Sequence, residues 1–213
     1  MAVEQVVYNQ AVALATILGT TAGAAHQCIY SLFRLCCTLG DVTSATAQAF
    51  LPSFYKTDAA TGKLAFDAAA ARGTMTRIVS MTLVVALVNT LICFSVPLLS
   101  PGLLTADASV WRLMRRAAPI AAAGLLMHPS VVGMEGCLLA TKDIKWLLVN
   151  YGAIGVLSVG ATQALLRLPL LRGRLGLQVI WVYMAAFQAI RFVAFGWRLL
   201  TSTLARPSTA GAR

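Results

Sequence analysis

Between Arg116 and Lys145 the chain reads RAAPIAAAGLLMHPSVVGMEGCLLATKDIK, and within it Ala117 to Ala140 is 24 residues without lysine, arginine or aspartate. At about 1.5 Å of rise per residue, a helix of that length crosses a bilayer core of roughly 30 Å. Yet the run holds Pro119, His128, Pro129 and Glu135, which a plain lipid anchor does not need. Glu135 falls about two turns inside the Lys142–Asp143–Lys145 end, within the apolar zone. An ionisable group there costs several kcal/mol unless it meets a polar cavity or a partner. It is therefore either a functional group or an internal partner that holds helices together.

The remaining composition agrees with a membrane chain. Of the 213 residues, 59% are hydrophobic and 11% charged, with a mean hydropathy of +0.78, whereas soluble domains run nearer one quarter charged. The net charge of +10 sits mostly at the ends of apolar runs, where cations anchor and orient helices. No basic stretch is interleaved with aromatics, so nucleic acid is not an expected partner. Cys28, Cys36, Cys37, Cys93 and Cys137 make no CxxC pair and no metal-type cluster with histidine, which predicts small buried hydrophobes and no metal site. Met1 to Gln10 carries no basic leader and runs directly into an apolar segment, which leads us to expect that the chain begins partway through a larger protein.

Six membrane helices are expected, near 6–25, 27–50, 78–99, 113–140, 147–166 and 178–200, as one unit over 1–200 followed by a polar, disordered tail over 201–213. Gly19, Thr20, Thr21 and Gly23 suit close packing in a bundle, and Ala24 to Gln27 reads as a polar turn. The second span is unusually polar, with Arg34, Gly40, Asp41, Thr43, Ser44, Thr46 and Gln48. Arg34 and Asp41, seven apart, share a helix face. A surface-lying amphipathic helix is the competing reading, disfavoured because the polar residues are mostly small and neutral. Leu51 to Arg77 reads as the longest polar connection, with a short interfacial helix at LAFDAAAA and a Lys63–Asp67 pair. Ile78 to Leu99 has no charge at all, and Pro97 and Pro101 close it. Pro129 should kink the central helix, with Ser130 and its small neighbours re-satisfying the freed carbonyl. Trp181, Tyr183 and Trp197 read as interfacial anchors of a last helix that contains Arg191.

Six spans distribute the cations unevenly. One side receives Lys56, Lys63, Arg72, Arg77, Lys142, Lys145, Arg198, Arg206 and Arg213; the other receives Arg112, Arg115, Arg116, Arg167, Arg172 and Arg174. That bias puts both termini on the cytoplasmic, stromal or matrix side.

Two stretches carry a family resemblance. GTTAGAAHQCIYSLFRLCCTLGDVTSATAQAFLP, from Gly19 to Pro52, resembles the run around the seventh and eighth helices of the multidrug and toxic compound extrusion (MATE) family. MEGCLLATKDIKWL is similar to the family's tenth-helix exit. Glu135-Gly136 with Lys142-Asp143, and AQAFLP at Ala47 to Pro52, look most like the DNA-damage-inducible-protein-F-like branch, to which plant plastid members belong.

The resemblance implies an all-α integral membrane fold, a six-helix bundle corresponding to the carboxy-terminal lobe of a twelve-helix transporter. It implies a solute:cation antiporter exporting organic compounds against H⁺ or Na⁺, with no other cofactor. The partners would be the lipid bilayer, a small organic solute, and an amino-terminal lobe or a second copy. The location would be a multi-pass membrane protein of the plastid envelope or plasma membrane. The beginning of the first helix is shorter than in relatives, and the place where some of them carry a tenth-helix carboxylate falls near His128.

Glu135 and His128, seven apart and so on one face, are the candidates for proton or cation coupling; for His128 a packing role is the alternative. Arg34, Asp41 and Gln48 are candidate polar groups of a cavity. A second hypothesis is a truncated or non-transporting subunit that needs a second lobe, since alternating access rocks one repeat against another. An enzyme is not expected: no nucleotide loop, Ser/His/Asp arrangement or metal-ligand pattern is present.

Overall fold

A computed structural model describes residues 2–57, 62, 64–167 and 176–204. Six long helices account for most of them: α1 (Ala2–Ile17), α2 (Thr20–Phe50), α3 (Ala68–Leu99), α4 (Ala108–Ala140), α5 (Ile144–Arg167) and α6 (Gly176–Arg198). Four of these, α3 to α6, are long and apolar enough to cross a membrane. The six-helix order matches the expectation. The count of helices that qualify as spans does not, and the two that fall short are α1 and α2.

The 31 residues of α2 are long enough but too polar; for α1 the reason lies at Gly19. Its backbone adopts φ +97°, a conformation open to glycine and strained for other residues. It ends α1 after 16 residues, about 24 Å of helix, below the usual length of a span. The polar turn expected at Ala24–Gln27 is instead the second turn of α2. His26 is buried there, its ring 5.6 Å from Tyr30 and 5.3 Å from Trp181. Trp181 is thus a core residue rather than an interfacial anchor, whereas Trp197 is exposed.

The connection after α2 also differs from its sequence reading. A 3-10 turn (Leu51–Phe54) leads into a two-stranded antiparallel hairpin, β1 (Tyr55–Thr57) and β2 (Leu64–Phe66), with Tyr55 opposite Phe66. LAFDAAAA is therefore not one short helix. LAF is a strand, Asp67 caps α3 by accepting from the Ala70 N–H at 3.0 Å, and the alanines form the first turn. A side-chain carboxylate at the N-cap satisfies an orphan amide there, so α3 starts ten residues before Ile78. Asp67 pairs with Lys56 at 3.0 Å. The expected partner Lys63, like Arg172, Arg174, Arg206 and Arg213, lies outside the described residues. So does the expected tail from residue 205, while a π-helical turn (Leu199–Leu204) carries the chain past α6.

The centre of the bundle is α4. Its most apolar stretch is 72% buried, against 28% for α3, 17% for α5 and 39% for α6. Small residues let neighbours approach its backbone. A Cβ on Gly136 would stand 2.6 Å from Ser44 Cα of α2, and one on Gly133 would stand 2.6 Å from Thr82 Cγ2 of α3. Gly124 meets Ala185 of α6. Buried hydrogen bonds tie the same helices: Ser130 and Thr82 share one at 3.0 Å, Thr43 donates to the Pro129 carbonyl at 3.3 Å, and Asn89 Nδ2 donates to the Cys36 carbonyl at 2.8 Å. Ser130 thus faces α3 rather than repairing its own helix, which runs unbroken through Pro119 and Pro129.

The outer surface is apolar. Leu83, Leu87 and Leu91 of α3, Leu148 and Val156 of α5, and Val193 of α6 are all exposed. Water would penalise such a surface; lipid does not. At one end of the bundle, Arg198 clasps Asp143 at 2.6 and 3.0 Å, and the Lys142 ammonium lies 4.9 Å from the Tyr55 ring. The hairpin, the α4–α5 turn and the end of α6 therefore share that end. Arg112, Arg115 and Arg116 begin α4 at the other.

Candidate functional site

A buried guanidinium organises the interior. Arg191, on α6, is fully enclosed, a placement that costs far more than its side chain gains unless carboxylates answer it. Two do. Nη1 donates to Glu4 Oε1 of α1 at 3.2 Å, and Nη2 donates to Glu135 Oε2 of α4 at 3.1 Å. The Tyr151 hydroxyl of α5 is a further acceptor at 3.0 Å. The rings of Phe187, Tyr151 and Phe195 lie 5.1 to 5.6 Å from the guanidinium carbon, close enough for cation–π attraction. One cation thus joins four helices.

From Glu4 a second chain of hydrogen bonds runs to His128. The Tyr8 hydroxyl donates to Glu4 Oε1 at 3.0 Å and accepts from Gln188 Nε2 at 3.1 Å. Gln188 Oε1 accepts from Arg191 at 3.4 Å, which orients the amide with its nitrogen toward His128 Nδ1 at 3.1 Å. An amide NH₂ can only donate, so Nδ1 accepts and the ring proton sits on Nε2. His128 Nε2 is buried without a hydrogen-bond partner, and Asp41 Oδ1 stands 4.0 Å away. Gly40 makes room for this ring: a Cβ there would stand 3.3 Å from His128 Cδ2.

These groups lie along a cleft of about 550 Å³ between α1, α2 and α4, whose lining includes Glu4, Arg34, Asp41, Gln48, His128 and Glu135. The sequence-predicted residues are therefore brought together. Glu135 and His128 share the cleft face of α4, and Arg34, Asp41 and Gln48 line the opposing face of α2. Glu135 is answered by Arg191, not by Arg34, which lies 5.2 Å from the Tyr8 ring. Asp41 faces His128 and is largely exposed.

Sequence reasoning missed Glu4, Tyr8, Gln188 and the role of Arg191. Glu4 precedes the span expected from residue 6; in the structure it sits in the first turn of α1, facing inward. One signal was available: an arginine inside an apolar helix requires a carboxylate, and few exist in this chain.

Comparison with family profiles and with solved structures finds no match. Over 198 residues, 91% of its length, the chain is 30% identical to Protein DETOXIFICATION 47, chloroplastic, of Arabidopsis thaliana. It spans about a third, 34%, of that relative. By its two motifs and by this relative, the chain resembles one part of a transporter of the multidrug and toxic compound extrusion family.

Proposed function

We propose that the chain is the carboxy-terminal, six-span lobe of a cation-coupled exporter of small organic solutes. The observation that carries this reading is the Glu4–Arg191–Glu135 cluster at the floor of the cleft. With its carboxyls ionised, the cleft and its floor hold Glu4, Asp41 and Glu135 against Arg34 and Arg191. Neutral His128 leaves one negative charge unanswered. One proton or one monovalent cation balances it, which is the stoichiometry of a simple exchange. Protonating His128 at Nδ1 would break its bond from Gln188 and turn the ring into a donor toward Glu4, whose Oε1 is 3.8 Å away. Cation arrival at the cleft is thereby linked to the bonds that hold α1 to α6.

The cleft needs a facing wall, supplied by an amino-terminal lobe or a second copy, because alternating access works by one repeat rocking on another. The relative's chloroplastic name makes the plastid envelope the favoured location, with the plasma membrane the alternative. The second reading is a truncated or non-transporting subunit that needs a second lobe, since a single lobe has no partner for its cleft.

Liposomes with an imposed pH gradient test both. Glu135→Gln keeps shape and hydrogen bonding but cannot titrate, so assembled protein should fold and lose proton-driven solute movement. Unchanged movement would leave Glu135 a structural role alone. Solute movement by the 213-residue chain as a monomer would overturn the half-transporter reading.

A further inference from the structure

The end of α4 remote from the hairpin carries a feature that the transport reading does not use. Arg112, Arg115 and Arg116 are spaced i, i+3 and i+4, which places them on one stripe within about 6 Å of helix axis. All three are exposed and line one cleft of about 410 Å³ with Ala108 and Trp111. Among the described residues none of them forms an ion pair or a side-chain hydrogen bond. The nearest acid in sequence, Asp107, is committed: it caps α4 by accepting from the Ser109 N–H at 2.8 Å.

The surroundings are apolar on one side. Trp111 is held in place by donating from Nε1 to the Thr105 carbonyl at 2.8 Å, and it packs by the Pro101–Leu103 turn at Gly102. Leu99 and Leu103 are exposed on that connector. The apolar run of α4 starts at Ala117, the residue after Arg116, so in a bilayer the three guanidiniums stand at the level of the headgroups.

We propose that this stripe is a binding site for an anionic phospholipid, with the three arginines holding the phosphate and Trp111 and Leu103 meeting the glycerol and upper acyl region. Guanidinium suits phosphate because its paired N–H donors match two oxygens at once. A scattered set of interfacial cations would not share one cleft beside an ordered indole. The proposal requires that α4 cross a bilayer, and it is independent of any solute being moved.

Native mass spectrometry of the 213-residue chain in micelles doped with phosphatidylglycerol or phosphatidylcholine is the test. Phosphatidylglycerol should be retained and phosphatidylcholine should not. R112Q/R115Q/R116Q should lower retention about 100-fold, at about fivefold per arginine. R112K/R115K/R116K, with the charge but without the paired donors, should retain less than the parent and more than the glutamine variant, and Arg167→Gln, outside the cleft, should change nothing. If the triple glutamine variant does not fold by circular dichroism, the single variant Arg112→Gln, expected to lower retention about fivefold, carries the same comparison. Equal retention by variant and parent, or equal retention of both lipids, overturns the site. Displacement of the lipid by inorganic phosphate would overturn the lipid assignment in favour of a soluble anion.

Discussion

Arg191 Nη2 meets Glu135 Oε2 at 3.1 Å across the α4–α6 interface, with the guanidinium fully buried and the carboxylate nearly so. Glu4 completes the arrangement from α1. Removing the cation alone should therefore be worse than removing the whole cluster. Arg191→Gln leaves two carboxylates enclosed side by side and should cost about 3–5 kcal/mol. E4Q/E135Q/R191Q should recover much of that loss. Thermal unfolding in detergent measures both, and an Arg191→Gln protein that melts with the parent would show that the cluster holds nothing together.

Gly136→Ala should be among the most damaging single-methyl additions in the chain. Its new Cβ would meet Ser44 Cα at 2.6 Å and Ser44 O at 2.8 Å, both backbone atoms. Overpacking of this kind costs about 1–3 kcal/mol. Ser44→Gly removes only the Ser44 Oγ contact at 2.7 Å and should not rescue it, because the Cα and carbonyl contacts remain. Gly152→Ala on α5, with nothing within 4 Å of the added carbon, should be neutral or stabilising by about 0.5–1 kcal/mol. The melting temperature should fall in Gly136→Ala and hold or rise in Gly152→Ala.

Asp67 gives a pH signature outside the apolar helices. The Ala70 N–H and then Lys56 hold its carboxyl below the ordinary value of 3.8. The folded state thus binds that proton less readily than the unfolded chain. The resulting stability is present above the unfolded value and is lost as pH falls through the lower folded one. Asp67→Asn keeps a competent cap but cannot titrate. The parent's advantage over it should be constant from neutral pH down to about pH 4 and shrink below, as read by melting curves across that range.

Sidedness follows from the run of α4. In a variant without the five native cysteines, single cysteines at Lys56 and Lys142 should react from one side of the membrane. A cysteine at Leu103 should react from the other. Labelling of all three from the same side would rule out α4 as a span.

The parts of this arrangement that were legible in sequence are those carried by a single helix. The uninterrupted run of α4 marked the bundle centre, and seven-residue spacing put His128 and Glu135 on one face. The pairings were not legible, because periodicity within a helix carries no information about which residue of another helix it meets. Glu135 and Arg191 are 56 residues apart. Gly19 was read for its size, as packing, when its backbone angle mattered. The hairpin was hidden because LAFDAAAA is as alanine-rich as a helix, and only Asp67, a good cap, marked where the helix begins. Trp181 near a helix end looked like an anchor, since sequence position cannot distinguish an indole facing lipid from one facing His26.

The bond between Glu4 and Arg191 spans 187 residues, and this has a consequence for biogenesis. Chains emerge from the ribosome at roughly 5–20 residues per second, so Glu4 is made roughly 10–40 s before the cation that answers it. Until α6 arrives, α1 carries an unanswered carboxylate on a helix of only 16 residues. Such a segment is better kept in the translocation machinery or at the lipid surface than left in the hydrocarbon. The arrival of α6 is what lets α1 settle.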